Sequence, residues 1–265
     1  MVAGRQSRER ATFVPTLLSN LLPLVGIAFF GWRARNVLFV YWVEIGSLVV
    51  IYSGLALFAE RDPAPDGRTI SPVTIPVPFL SGRSGSVRPV SALPPIYYRN
   101  VRYAVGLLVW GLGFWACLSV MMVVLPSPAS LDLPLVEYPG VVADATSPAS
   151  LANAVALVAS QLATVRDEFL GQRRYERLSA PMTVEVPVRQ VVFWFLLSPV
   201  ATLLLPLVTL PLVVAFDATV ITRVGVATIV VVGKLTIEWS TFRAQRRADP
   251  GVVAGWFTPE ESNSG

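Results

Sequence analysis

Glu44 stands inside NVLFVYWVEIGSLVVIYSGLALFA, an apolar stretch from Asn36 to Ala59, and a later apolar stretch carries Arg223, Lys234 and Glu238. Ionised groups are costly inside a bilayer, so each must face a bundle interior, pair with an opposite charge or, for a carboxylate, hold its proton. The chemistry open to such residues is ion or solute binding, proton transfer, or simple cross-bracing of helices. Tyr41 and Ser47, three residues either side of Glu44, share its helix face. Arg223 and Lys234 are eleven residues apart, about 20° from a whole number of turns, and Glu238 extends their stripe by about 40°. Pro23 frees the carbonyl of Ser19 beside Asn20, which places polar backbone and a polar side chain within another apolar run.

Composition removes most familiar catalytic arrangements. There is no histidine and one cysteine, Cys117. Intrachain disulfides, Cys-rich zinc sites, Cys-His and Ser-His nucleophilic pairs and histidine bases are therefore excluded. No nucleotide loop or metal-ligand motif appears, and neither cofactor nor metal is expected. Binding or transport of a small solute or ion and a purely structural or accessory role stand ahead of intramembrane catalysis.

The elements that must position these residues are membrane helices. With 54% hydrophobic and 14% charged residues, the chain is far more apolar than a soluble domain, whose charged fraction is nearer a quarter. A net charge of +4 would suit nucleic acid, but the basic residues cluster between apolar runs. The lipid bilayer is the expected partner, with a membrane protein or a second copy as further partners and no nucleic acid. Six runs have the length that spans a bilayer, giving an all-α polytopic membrane bundle. They are Thr12 to Gly31, Val37 to Ala59, Val101 to Leu125, Pro148 to Val165, Val188 to Phe216 and Ala218 to Trp239.

The first run follows Arg5, Arg8 and Arg10 but is long for a signal segment and lacks a small-residue cleavage site. The fourth contains Asn153, Ser160 and Gln161, so a surface-lying amphipathic helix competes with a span; Ser147 and Pro148 make a good N-cap and first turn. The fifth, about 43 Å if fully helical, contains Pro199, Pro206 and Pro211 and must tilt, kink or break. In the third, Gly106, Trp110 and Gly113 share a face suited to close helix packing.

Charge orients the runs. Seventeen of the 21 basic residues fall at the termini, in the segments after the second and fourth runs, or, as Arg102 and Arg189, at the second position of the run that follows. Lys and Arg accumulate on the cytoplasmic side, so both termini are expected inside. The layout is a cytoplasmic N-terminus (1–11), a first hairpin (12–59), a Pro- and Gly-rich cytoplasmic linker (60–100), four further spans (101–239) and a cytoplasmic tail (240–265). The linker composition predicts flexibility, with TIPVPFL as a short extended piece. Depth then pairs Glu44 with Arg223 near the outer side, since Lys234 lies about 13 Å deeper. Lys234 and Glu238 form an inner cluster that Arg189 or Arg102 would join.

The stretches NLLPLVGIAFFGW and YWVE resemble the first hairpin of a family of polytopic prokaryotic membrane proteins known only as a domain of unknown function. That hairpin carries Asn-x-x-Pro-x-x-Gly and Tyr-Trp-x-Glu, matched by Asn20, Pro23, Gly26, Tyr41, Trp42 and Glu44. GKLTIEW looks like the family's Lys-x-x-x-acid signature, matched by Lys234 and Glu238. The resemblance covers about Phe13 to Trp239 and implies the bundle but no activity. Members tend to carry a histidine after an arginine in the fifth helix; here Arg189 is followed by Phe193 and Trp194, so no metal or proton-relay role carries over.

Overall fold

The computed structural model describes residues 21, 23–27, 29, 31–63, 71–80, 83–119, 134–213, 218–244 and 251–257. Helices dominate them: α1 (Ala34–Phe58), α2 (Val101–Ser119), α3 (Tyr138–Asp144), α4 (Pro148–Thr164), α5 (Ala180–Val213), α6 (Ala218–Ala244) and α7 (Val252–Trp256). Strands β1 (Ser86–Val87) and β2 (Ile96–Tyr97) pair antiparallel. Five stretches are long and apolar enough to cross a membrane: Arg35–Phe58, Tyr98–Ser119, Pro148–Gly171, Ala180–Leu197 and Val224–Thr241. This is an all-α helical membrane bundle. Most of the first run, with Asn20, lies outside the described residues.

The chain forms two compact units, one of residues 1–39, 120–150 and 193–258, the other of 40–119, 151–192 and 259–265. In the first unit, residues 23–27 are helical and the turn closes at Gly31, whose φ of 64° favours glycine. The Trp32 N–H donates back to the Gly26 carbonyl (3.0 Å), and its indole lies where a Gly26 Cβ would be, which explains why glycine sits three residues after Pro23. Asn36 closes the α1 N-terminus by accepting from the Arg33 N–H (3.0 Å), and its amide reaches the Ala145 carbonyl at the end of α3 (2.7 Å). Phe257 of α7 packs edge-on against Phe193 of α5 at 5.5 Å.

Caps fix the starts of α4 and α5. Ser147 and Ser150 exchange bonds across the first turn of α4, each hydroxyl accepting the other's backbone N–H (3.1 and 2.7 Å), with Pro148 at the first position. A π-helix, Val165–Gly171, continues this helix. The next helix departs from expectation: α5 begins at Ala180 rather than Val188. Buried Ser179 accepts from the Met182 N–H, Pro181 occupies the first turn where its missing donor costs little, and Pro187 is carried inside the helix. The helix then runs unbroken past Pro199 and Pro206 to Val213, so it is not the discontinuous helix those prolines allowed.

The second unit is stitched by backbone. The Glu60 and Arg61 N–H groups donate to the carbonyls of Tyr175 (2.9 Å) and Leu178 (3.2 Å). Fully buried Asn100 donates to the Ala59 carbonyl (2.7 Å), closing the end of α1. The described part of the expected linker is not free: the Ile75 N–H donates to the Arg102 carbonyl (3.1 Å), and a Cβ on Gly106 would collide with the Val73 carbonyl oxygen. Pro72 and Pro76 fix φ and remove backbone donors along this strap, a turn follows at Pro78, and the glycine of α2 admits the strap backbone. The Gly106 face thus receives a strap rather than a helix, and Gly113 meets nothing.

Candidate functional site

Within the second unit, Trp42 and Trp115 lock α1 to α2. Their rings stack 4.0 Å apart at 11°, and each indole N–H donates to the other's backbone carbonyl (3.0 and 2.6 Å). Both indole donors are thereby satisfied in an apolar setting. Gly46, one turn beyond Trp42, leaves room for the Trp115 ring, which would lie 2.6 Å from a Cβ there. Gly111 does the same for Val49 at 2.7 Å.

Two residues beyond Trp42 is about 200° around a helix, so Glu44 leaves α1 on another side, toward α4. It is 5% exposed. Its Oε1 accepts from Gln161 Nε2 at 3.2 Å, and the Ser47 hydroxyl lies 2.7 Å from both Gln161 Oε1 and the Glu44 backbone carbonyl. The side chains of Glu44, Gln161 and Ser47 form a hydrogen-bonded chain between α1 and α4. Sequence reasoning placed Ser47 on the Glu44 face but treated Gln161 only as a polar blemish in the fourth run. The available signal was that an amide in an apolar helix needs a polar partner.

Tyr41 is 1% exposed in the same helix. The Arg223 side chain lies outside the described residues, and the expected Glu44 to Arg223 pair lies outside them with it. In the first unit, Lys234 Nζ is 3.0 Å from Glu238 Oε1, the pair that four-residue spacing predicts. The pair rests beside Gly233, which opens the α6 surface to Leu197 (2.6 Å from a Cβ built there) and Trp194 of α5. Arg189 pairs with Glu185 of its own helix, Nε to Oε1 at 2.8 Å, with both side chains at most 3% exposed. Glu185 was missed because the fifth run was started after Pro187. Arg102, exposed at the head of α2, lies over the Tyr103 ring and donates to its hydroxyl (3.0 Å). Among the described residues, no group of three His, Cys, Asp or Glu side chains could hold a metal ion.

These arrangements place amide and hydroxyl groups beside the Glu44 carboxylate, a set of oxygen and nitrogen groups that suits a small polar or cationic ligand. No curated protein and no solved structure matches the chain. A family model matches residues 3–254, and the chain belongs to that family, DUF6498, a family of unknown function.

Proposed function

We propose that this DUF6498 member is a multi-pass protein of a prokaryotic cytoplasmic membrane, with both termini inside, that binds a small solute or ion at the Glu44 cluster. The observation that carries the reading is the Glu44 carboxylate, 5% exposed in a helix apolar enough to cross a membrane and held by Gln161 of a second such helix. A carboxylate inside a spanning helix is costly, about 2.5–3.5 kcal/mol at the centre and less toward either face, and an intramembrane ionisable residue is by default a functional candidate. Glu44 supplies charge, while Gln161 and Ser47 orient it. Tyr41 of the same helix remains a candidate polar participant.

A second reading, an accessory subunit without transport, is favoured by a different observation. The Glu185–Arg189 and Lys234–Glu238 pairs each place opposite charges on one helix, an arrangement that needs no ligand. Cysteine accessibility separates the two. In a Cys117→Ala background, Glu44→Cys reacts with a water-soluble maleimide from one side of the membrane if the cluster is a wet binding site. Complete protection in intact and opened vesicles would sink the binding reading and leave the accessory one.

A further inference from the structure

A second feature of the same unit points to a different ligand class. A cavity of about 160 Å³ lies between α2, the first half of α5 and the 71–75 strap, lined chiefly by Gly106, Leu107, Trp110, Phe114, Val188 and Val191. Its wall is almost wholly apolar, and an apolar void of about 150 Å³ stays dry and accepts hydrocarbon rather than water. It is open on one side, where Trp110 and Phe114 are 54% and 44% exposed. Both helices that form it are long and apolar enough to cross a membrane, so hydrocarbon is the medium at that opening.

A basic residue stands one turn from the cavity lining. Arg102 lies one turn before Gly106, near the cavity face of α2. Its backbone carbonyl accepts from the Ile75 N–H of the strap (3.1 Å), so the strap is tied to α2 one turn before the glycine that lines the cavity. Neighbouring Arg99 is paired with Asp62 at 2.7 Å, whereas among the described residues Arg102 has no carboxylate partner and bonds only the neutral Tyr103 hydroxyl. Tyr97, Tyr98 and Tyr103 cluster in sequence at the head of α2, and tyrosine favours the headgroup level.

We propose that this cavity binds one acyl chain of an anionic phospholipid, with Arg102 engaging its phosphate. The distance from Gly106 to Phe114 along α2, about 12 Å at 1.5 Å per residue, suits the upper part of an acyl chain. Basic groups beside spanning helices recognise anionic headgroups, at about 1 kcal/mol per basic residue, or about fivefold in affinity.

The test is native mass spectrometry of the full chain, purified in detergent and incubated with dioleoyl phosphatidylglycerol or dioleoyl phosphatidylcholine. The wild type retains one lipid and prefers phosphatidylglycerol about fivefold. Val188→Phe fills the cavity and loses retention of both lipids. Arg102→Gln keeps retention but loses the preference, and Glu44→Gln leaves both intact, which separates this site from the Glu44 reading. Wild-type retention in Val188→Phe, or an unchanged preference in Arg102→Gln, overturns the proposal and leaves only annular lipid. If Val188→Phe does not fold, Trp110 gives the answer: phosphatidylglycerol with brominated acyl chains quenches wild-type emission more than that of Trp110→Phe. Equal quenching overturns the proposal.

Discussion

The Glu44 cluster and the Glu185–Arg189 pair both bury a carboxylate in an apolar helix, and their described contacts reach differently along the chain. Glu185 meets a cation one turn away on its own helix, and both are at most 3% exposed. Glu44 bonds a neutral amide on a different helix, with Ser47 bridging. The first arrangement is set by spacing and forms wherever α5 forms. The second exists only when α1 and α4 are in register, so it reports tertiary structure.

The largest effect should come from breaking the self-contained pair. Arg189→Ala leaves the Glu185 carboxylate without its guanidinium, and thermal unfolding in detergent should show a loss of about 3–5 kcal/mol. Replacing both, as Glu185→Leu with Arg189→Met, should return most of it, because two apolar side chains of similar size need no compensation. A double variant as unstable as Arg189→Ala would show that the pair is held by more than its partner.

The same contrast governs how much could be read from the sequence. Four-residue spacing made Lys234–Glu238 legible, and the apolar runs overlap five stretches long and apolar enough to cross a membrane, with looser bounds at their ends and an earlier start for α5 at Ala180. What escaped depended on partners distant in the chain. Gln161 is 117 residues from Glu44, and Trp115 is 73 from Trp42, distances over which periodicity carries no information. The strap escaped for a related reason: a Pro-rich composition predicts little burial of its own, but Gly106 supplies a surface on which an extended backbone can lie.

Lys234→Met should cost less than Arg189→Ala, about 1–2 kcal/mol, because Glu238 is 22% exposed and can keep part of its solvation once its partner is gone. A loss as large as that of Arg189→Ala would place Glu238 in a setting as dry as that of Glu185. Smaller again is the inter-helix contact. A cycle of Glu44→Gln, Gln161→Leu and the double variant should give a coupling of about 0.6 kcal/mol, with about 1.7 as the upper range for such bonds between membrane helices. Zero coupling would mean that the two side chains do not meet, and the comparison with α5 would collapse.

The smallest effect lies outside the apolar helices, where a carboxylate meets a partner close to water. Partial burial first, then the charge and hydrogen bond of Glu60, push the Tyr97 phenol above its ordinary value of 10.0. A raised pKa means that the folded state holds the phenolic proton more tightly than the unfolded chain does. The associated stability is therefore fully present below about pH 10 and is lost as pH rises through the folded-state value. Unfolding followed from pH 8 upward should show a decline that begins near the ordinary phenol value and is shallower in Tyr97→Phe. Glu60→Gln should retain the burial part of that decline and remove the rest, since burial acts on the phenol alone while the other two contributions come from the carboxylate. An identical slope in Glu60→Gln and wild type would assign the shift to burial. The water-facing contact would then differ from the Glu44 cluster in kind as well as in size, because no carboxylate would be acting in it.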